Sequence, residues 1–367
     1  MRKEYIRRKT LENTKKEKID LTAWGLSEDI SREASKYPNY QVGRVLCQEK
    51  GGYEIVFPLG RVNGVVSGKL RHEAATGGDY PCVGDFVMVE GGEDGRQAVI
   101  CKVLPRKSAF VRKAAGKKYA EQVVAANIDV VFICMSLNND FNLRRMERYI
   151  AATWGSGSRP VVLLTKADIC EDIQGKISQI ETVARDIDIL TTSIDDPNTL
   201  EKLKNYIKPT TTVTMVGSSG VGKSSLINLL LGEERQETNG LRNDDKGRHT
   251  TTHREMFQIP SGGVIIDTPG MRELGMWDAD EGIEMSFSDM EDLTCRCKFR
   301  NCTHVNEPGC AVIEAIEKGD LSEERWQSYI KLQSENRRAT DAKDYMEKKK
   351  EKFKKIAKIN KNNRKNY

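Results

Sequence analysis

Residues 217–225, GSSGVGKSS, constrain the fold of this chain more than any other stretch. They fit the pattern G-x-x-x-x-G-K-[ST], with Gly217, Gly222, Lys223 and Ser224 in the fixed places. The apolar run TVTMV precedes them and SLINLLLG follows, so the motif sits where a strand turns into a helix, as it must. Glycines at such a turn let successive backbone N–H groups, here those of Gly217, Ser218, Ser219, Gly220, Val221 and Gly222, face inward on an anion. The helix N-terminus adds a favourable partial charge. Lys223 would neutralise the β- and γ-phosphates of a nucleotide, Ser224 would ligate its Mg²⁺, and Ser225 completes the motif. A ligand-free glycine turn is the plain alternative, and the strand and helix on either side weigh against it.

A phosphate loop alone does not choose the base. TKAD, at Thr165, Lys166, Ala167 and Asp168, ends the apolar run VVLL, where ligand contacts gather in a doubly wound sheet. The Asp168 carboxylate can accept hydrogen bonds from the ring N–H and exocyclic amine of guanine, donors that adenine does not offer in that arrangement. Lys166 can lie along the base. DTPG, from Asp267 to Gly270, follows GGVIID and supplies an Asp for the outer shell of the metal and a glycine N–H for the γ-phosphate. LTTSI, at 190–194, is expected to back the base. Read alone, TKAD is an ordinary strand-end turn and DTPG is weak.

Apolar runs at 130–135, 161–164, 187–190, 213–216 and 264–266 alternate with the helical segments NLRRMERYIAATW and IQGKISQIETVARDI. Buried parallel strands with crossover helices give this rhythm. TKAD precedes the phosphate loop, the reverse of the order in Ras-like GTPases, which predicts a circularly permuted domain with the same site geometry. The polar stretch GLRNDDKGRHTTTHRE suits a loop ordered by γ-phosphate and Mg²⁺, with Thr251 the preferred threonine for the metal shell. Met271 follows DTPG where many GTPases carry a water-orienting Gln. Hydrolysis is therefore expected to be slow alone, with His249 or a partner supplying the missing catalytic group.

Upstream, VGRVLCQ, GYEIVFP, RVNGVVSGK, GDFVMVE and QAVICKVL are short β-branched runs parted by glycines, which predicts a small barrel of the OB or SH3-like type. Downstream, Cys297, Cys302, His304 and Cys310 follow C-x₄-C-x-H-x₅-C. Three thiolates and one imidazole match a closed tetrahedral zinc site, and metal binding can supply ~10 kcal/mol of folding energy to a segment with little core. Cys295 is a spare thiol beside the set, and Lys298 and Arg300 on the same loop suit phosphate contacts. The expected layout is a polar N-terminal extension (1–37), an OB-fold barrel (38–110), a permuted P-loop domain (111–276), a zinc-binding helical domain (277–335) and a basic helical tail (336–367).

The net charge is only +5, but basic residues crowd the two ends, in RKEYIRRKT and KKKEKFKKIAKINKNNRKN. Such blocks suit a polyanionic partner or are simply solvated tails. No run approaches the ~18 apolar residues of a membrane span, and the N-terminus lacks the apolar core of a secretory signal. A cytoplasmic, monomeric protein with no membrane contact is expected. The nine cysteines, several inside apolar runs, argue for free thiols and a metal site over a disulfide framework.

With these motifs in place, the sequence resembles the ribosome small-subunit-dependent GTPase A family of circularly permuted bacterial GTPases. The resemblance spans about residues 40–335: the barrel, TKAD, GSSGVGKSS, GRHTTT, DTPG followed by RELG, and KFRNCTH with its downstream EPGC. It implies an OB-fold, a permuted GTPase domain and a zinc domain, acting in late maturation of the small ribosomal subunit through contact with its rRNA. GTP and GDP with Mg²⁺ would be the ligands, and one structural Zn²⁺ would be held per chain. Two departures stand out. Thr165 takes the place where many GTPases carry Asn, removing a side-chain amide from the base loop, and the polar N-terminal extension is atypical. Two other classes compete: a GTP-binding RNA switch that scarcely hydrolyses, and an ATP-using P-loop kinase indifferent to Asp168.

Overall fold

The computed structural model describes residues 18–49, 51–74, 76–92, 96–113, 121–234, 254–267 and 279–341. The chain first forms a 3₁₀ turn at Leu21–Trp24 and a short helix, α1 (Glu28–Ala34), whose Ser27 hydroxyl caps the Ile30 N–H. Ile30 and Ala34 pack against Phe86, Met88 and Leu104, so this part of the N-terminal segment lies on the outer face of the barrel.

The barrel consists of β1 (Gln41–Glu49), β2 (Gly52–Phe57), β3 (Gly60–Val66), β4 (Phe86–Gly91) and β5 (Ala98–Val103), with α2 (Gly68–Glu73) between β3 and β4. Its strands run in the order β1-β2-β3-β5-β4, and β4 returns to pair with β1, which closes the barrel. β3 and β5 pair in parallel and the other contacts are antiparallel. This closed Greek-key order is OB-like and resolves the choice between barrel types. Alternate residues of these strands, among them Val45, Ile55, Phe57, Val87, Val89 and Ile100, fill the interior.

A hairpin that the hydrophobic runs do not announce, β6 (Ala109–Lys113) with β7 (Glu121–Ala126), leads into the second sheet. There β8 (Val130–Ser136), β9 (Arg159–Thr165), β10 (Ile189–Thr191), β11 (Thr212–Val216), β12 (Glu255–Gln258) and β13 (Val264–Asp267) run in the order β10-β9-β8-β11-β13-β12, all parallel except β12. Both faces are covered. Val131, Ile133 and Met135 of β8 join Met146 and Ile150 of α3 (Leu143–Gly155) and Ile180 of α4 (Ile173–Glu181). Phe132 and Cys134 point the other way, to Leu203 of α5 (Thr199–Lys204) and Leu226, Ile227 and Leu230 of α6 (Lys223–Leu231). Each such fully buried side chain contributes ~1.5–3 kcal/mol, which is why β8 is apolar without alternation. The sequence-predicted helix over 173–187 stops at Glu181, and the strand expected from 187 pairs only from Ile189. Asp186, at φ +57°, takes up the intervening turn.

The two sheets join edge to edge where β1 meets β12, with Cys47 opposite Glu255. Beyond β13 the described chain resumes in α7 (Asp280–Ser286), α8 (Ser288–Cys295), α9 (Ala311–Lys318) and a helix over 323–341. These helices pack on α3, where Arg148 pairs with Glu335 at 2.5 and 3.0 Å. Arg325 grips Asp289 at 2.6 and 3.1 Å. It also lies 3.5 Å from Glu147, whose carboxyl burial pushes above its ordinary range.

Candidate functional site

The carboxyl ends of the parallel strands share one edge of the second sheet, and the sequence-predicted motifs on β9, β10, β11 and β13 lie there. After β11 the chain enters the glycine-rich loop at Gly217, φ +143°, where a Cβ would stand 2.3 Å from the Cys134 carbonyl of the neighbouring strand. Only glycine fits that approach. Gly220 and Gly222 take φ +76° and +98°, and α6 begins at Lys223 with no side chain capping its first turn. Lys223 Nζ donates to the carbonyl of Gly217 at 2.8 Å and to that of Ser218. Ser224 is in the same turn. The loop therefore brings a helix N-terminus and a lysine to a single spot, chemistry suited to a phosphate chain.

Two strands away, β9 ends at Thr165, and Lys166 adopts a left-handed φ of +59° that turns the chain sharply. The Thr165 hydroxyl donates to the Val221 carbonyl of the glycine-rich loop at 2.6 Å. Asp168 accepts from Ser193 Oγ at 2.6 Å, and the Ala167 N–H donates to the Thr192 carbonyl at 3.2 Å. An open cavity of about 350 Å³ at this point is lined by Asp168, Thr192, Ser193 and Lys202, among others. One carboxylate oxygen is thus held by a hydroxyl at the wall of this cavity. Ser193 lies within the expected LTTSI loop, but its bond to Asp168 is a contact that the run of residues does not reveal. Asp267 is the last residue of β13, beside β11 and in register with Glu255. His249, Thr251 and Gly270 lie outside the described residues.

The cysteine cluster forms a second centre. Cys297 Sγ lies 3.5 Å from His304 Nδ1 and 3.9 Å from Cys310 Sγ, and Cys310 Sγ lies 3.5 Å from His304 Nδ1. With Cys302 included, the ligand atoms all fall within 4.8 Å of one another. Tetrahedral zinc, with bonds of ~2.3 Å to sulfur and ~2.0 Å to nitrogen, separates its ligands by about 3.5–3.8 Å, so the set fits the ion. His304 sits at φ +58°, and its ring packs edge-on against Trp326 at 5.2 Å. Glu307 organises the loop between the ligands: its carboxylate accepts from the N–H groups of Thr303 (2.8 Å), Val305 (3.0 Å) and Asn306 (3.2 Å) and from the Thr303 hydroxyl. The Thr303 bonds hold its carboxyl down at about 2. Lys298, Phe299, Arg300 and Val305 project outward from this loop.

Residues 103–277 match the family described as RsgA GTPase. Small ribosomal subunit biogenesis GTPase RsgA 2 of Lactiplantibacillus plantarum is 43% identical over 86% of this chain and 89% of its own length. RsgA 1 of Oceanobacillus iheyensis, another small ribosomal subunit biogenesis GTPase, is 44% identical over 88% and 93%. Among solved structures, YjeQ from Thermotoga maritima superposes with a TM-score of 0.59 at 28% identity, covering 80% of this chain and 96% of that one. YloQ, a circularly permuted GTPase, gives 0.56 at 25% identity over 83% and 96%. Sequence identity above two-fifths across nearly the whole of these relatives, together with a permuted sheet like theirs, makes this chain a member of the RsgA GTPase family.

Proposed function

We propose that this protein binds the maturing small ribosomal subunit through its rRNA and hydrolyses GTP late in the assembly of that subunit. One observation carries the nucleotide half: the glycine-rich loop and the base loop, distant in sequence, are tied at a single sheet edge by the Thr165–Val221 bond. In this reading Lys223 turns from its loop carbonyls to the β- and γ-phosphates. Ser224 and Thr251 hold Mg²⁺, Asp267 supports it from the outer shell, and Gly270 meets the γ-phosphate. Asp168 reads the guanine edge while Lys166 lies along it. The names of the relatives supply the ribosomal half, and the exposed Lys298 and Arg300 suit contact with rRNA phosphates. The four ligands Cys297, Cys302, His304 and Cys310 hold a structural zinc ion. Among the described residues no helix is long and apolar enough to cross a membrane, and the protein works as a cytoplasmic monomer.

Met271, placed where a water-orienting Gln is common, favours slow hydrolysis without a partner, with His249 the candidate catalytic group in this chain. Multiple-turnover GTP hydrolysis with and without purified small subunits tests the proposal. Strong stimulation by the subunit is expected. RNA binding with no stimulation would instead make the protein a GTP-bound switch module, and preference for ATP would remove the guanine assignment.

A further inference from the structure

After β10 the chain turns tightly into α5, which begins at Thr199 with no side chain capping its first turn. Thr199 is fully buried. Its hydroxyl reaches back over the turn, donating to the Ser193 carbonyl at 2.7 Å and accepting from the Ser193 N–H at 3.4 Å. We infer that Thr199 is a positioning residue for guanine recognition, holding the Ser193 backbone so that the Ser193 hydroxyl meets Asp168. The inference rests on the nucleotide site proposed above.

A hydroxyl has a proton to give and lone pairs with which to accept. Thr199 uses both on the same residue, so the peptide units on either side of Ser193 are held together. Because each unit is planar, holding both sets the φ and ψ of Ser193, and with them the direction in which its side chain leaves the backbone. The Ser193 hydroxyl is placed accordingly, donating to Asp168 Oδ1 at 2.6 Å and accepting from the Asp195 N–H at 3.2 Å. Backbone bonds also close the turn, from the Asp196 N–H to the Ser193 carbonyl at 3.3 Å and from the Thr199 N–H to the Asp196 carbonyl at 3.0 Å. They leave the Ser193 N–H to Thr199. Further along α5, Lys202 Nζ donates to the Thr191 carbonyl at 3.0 Å and to Asp196 at 2.8 Å. The helix thus ties the loop at two points, and the Thr199 tie is the one made to the residue that touches Asp168. Leu203, fully buried in the core with Phe132, anchors α5 for both.

Equilibrium binding of GDP and IDP to the full chain tests the assignment. Inosine lacks the exocyclic amine that Asp168 would read, so the GDP-to-IDP affinity ratio reports that contact and is blind to a general loss of stability. Val is nearly isosteric with Thr and removes the hydroxyl. Thr199→Val is expected to lower GDP affinity about fivefold and to lower the ratio with it, and Thr199→Ser should restore both. A residue that acts through Ser193 has nothing to act on once that hydroxyl is gone, so in a Ser193→Ala background Thr199→Val should cost less than about twofold. A loss of about fivefold in that background as well would show independent effects and overturn the inference. So would an unchanged GDP-to-IDP ratio in Thr199→Val, which would leave Thr199 with a merely structural role. If Thr199→Val does not fold, Thr199→Ala measured against Thr199→Ser makes the same comparison. A parent protein that binds GDP and IDP equally would defeat the base reading by Asp168 and the inference with it, an outcome visible before any substitution is made.

Discussion

Arg44 and Thr212 meet across the boundary between the barrel and the nucleotide-binding sheet, with Arg44 Nη2 donating to Thr212 Oγ1 at 2.7 Å. The guanidinium is fully buried and also donates to the carbonyls of Trp24, Gly84 (3.3 Å) and Asn127 (3.5 Å), with the Phe86 ring 4.6 Å away. Burial pushes its pKa down to about 9, while Asp129 and Asp85 pull it up. Its charge is met mainly by carbonyl dipoles drawn from the N-terminal turn, the barrel wall and the connection after β7. Gly25 leaves the space it needs, since a Cβ there would stand 2.1 Å from Nη1.

Replacing Arg44 by Met fills the volume and leaves the Trp24 and Asn127 carbonyls without this donor, while Gly84 keeps the Asn127 Nδ2 donor at 3.0 Å. A buried carbonyl that loses a charged donor costs ~1–3 kcal/mol, and several share this one, so a loss on the order of 3 kcal/mol is expected in denaturant unfolding. The loss should appear as barrel and nucleotide sheet ceasing to melt together. An unchanged single transition would show that the β1–β12 pairing and the contacts of Val83 and Gly84 with residues 125–127 join the two parts without Arg44.

Ser193→Ala removes the hydroxyl that holds one Asp168 oxygen at 2.6 Å. A hydrogen bond to a charged group contributes ~1.5–3 kcal/mol, but water reaches this open site and replaces part of it. GDP affinity is expected to fall about fivefold. Titration of the purified variant with GDP checks this, and full retention of affinity would mean that Asp168 needs no positioning from the β10 loop.

What the sequence made legible here follows interaction range. Gly217, Lys223 and Asp168 are readable because each motif needs only its own strand end and turn. The permuted order is equally visible, because it is a property of the chain alone. The Thr165–Val221 and Ser193–Asp168 bonds span 56 and 25 residues, and neither leaves a local pattern. The β6–β7 hairpin leaves no clear apolar run because its strands, AFVRK and EQVVAA, mix charged, polar and small residues. Nothing within VGRVLCQ marks Arg44 as buried. Its burial depends on four segments that meet only in the fold.

The zinc proposed at the cysteine cluster gives a metal-removal test. Glu307 is held at about 2, below the ~4.3 of a free glutamate, so its contribution to the folded loop is complete above the free value and fades only as pH falls through about 2. Zinc removed by a chelator at pH 5 is expected to return when the ion is supplied again, because the Glu307 bonds keep the loop in shape. In Glu307→Gln, return should be slower and less complete. Zinc content and the fluorescence of Trp326, which packs on His304, would follow both steps.

Gly282 gives a test in which two effects oppose each other. It lies inside α7, where Ala is favoured over Gly by ~1 kcal/mol on helix propensity alone, so an isolated helix would gain from Gly282→Ala. In the folded protein a Cβ there would stand 2.1 Å from the Ala151 carbonyl and 2.5 Å from the Gly155 nitrogen of α3. Those are backbone atoms that cannot turn aside, and Gly155 itself faces Ala279 with as little room. Forcing α7 off α3 should cost more than the propensity gain, ~1–3 kcal/mol, and should loosen the helices around the cysteine cluster from the nucleotide sheet. Gly68→Ala is the control, because the added carbon meets nothing within 4 Å. Limited proteolysis between β13 and α7 is expected to quicken in Gly282→Ala and not in the control. A Gly282→Ala protein at least as stable as its parent would mean that the close α7–α3 approach adds nothing, and that the ion pairs from Arg148 and Arg325 hold the C-terminal helices in place on their own.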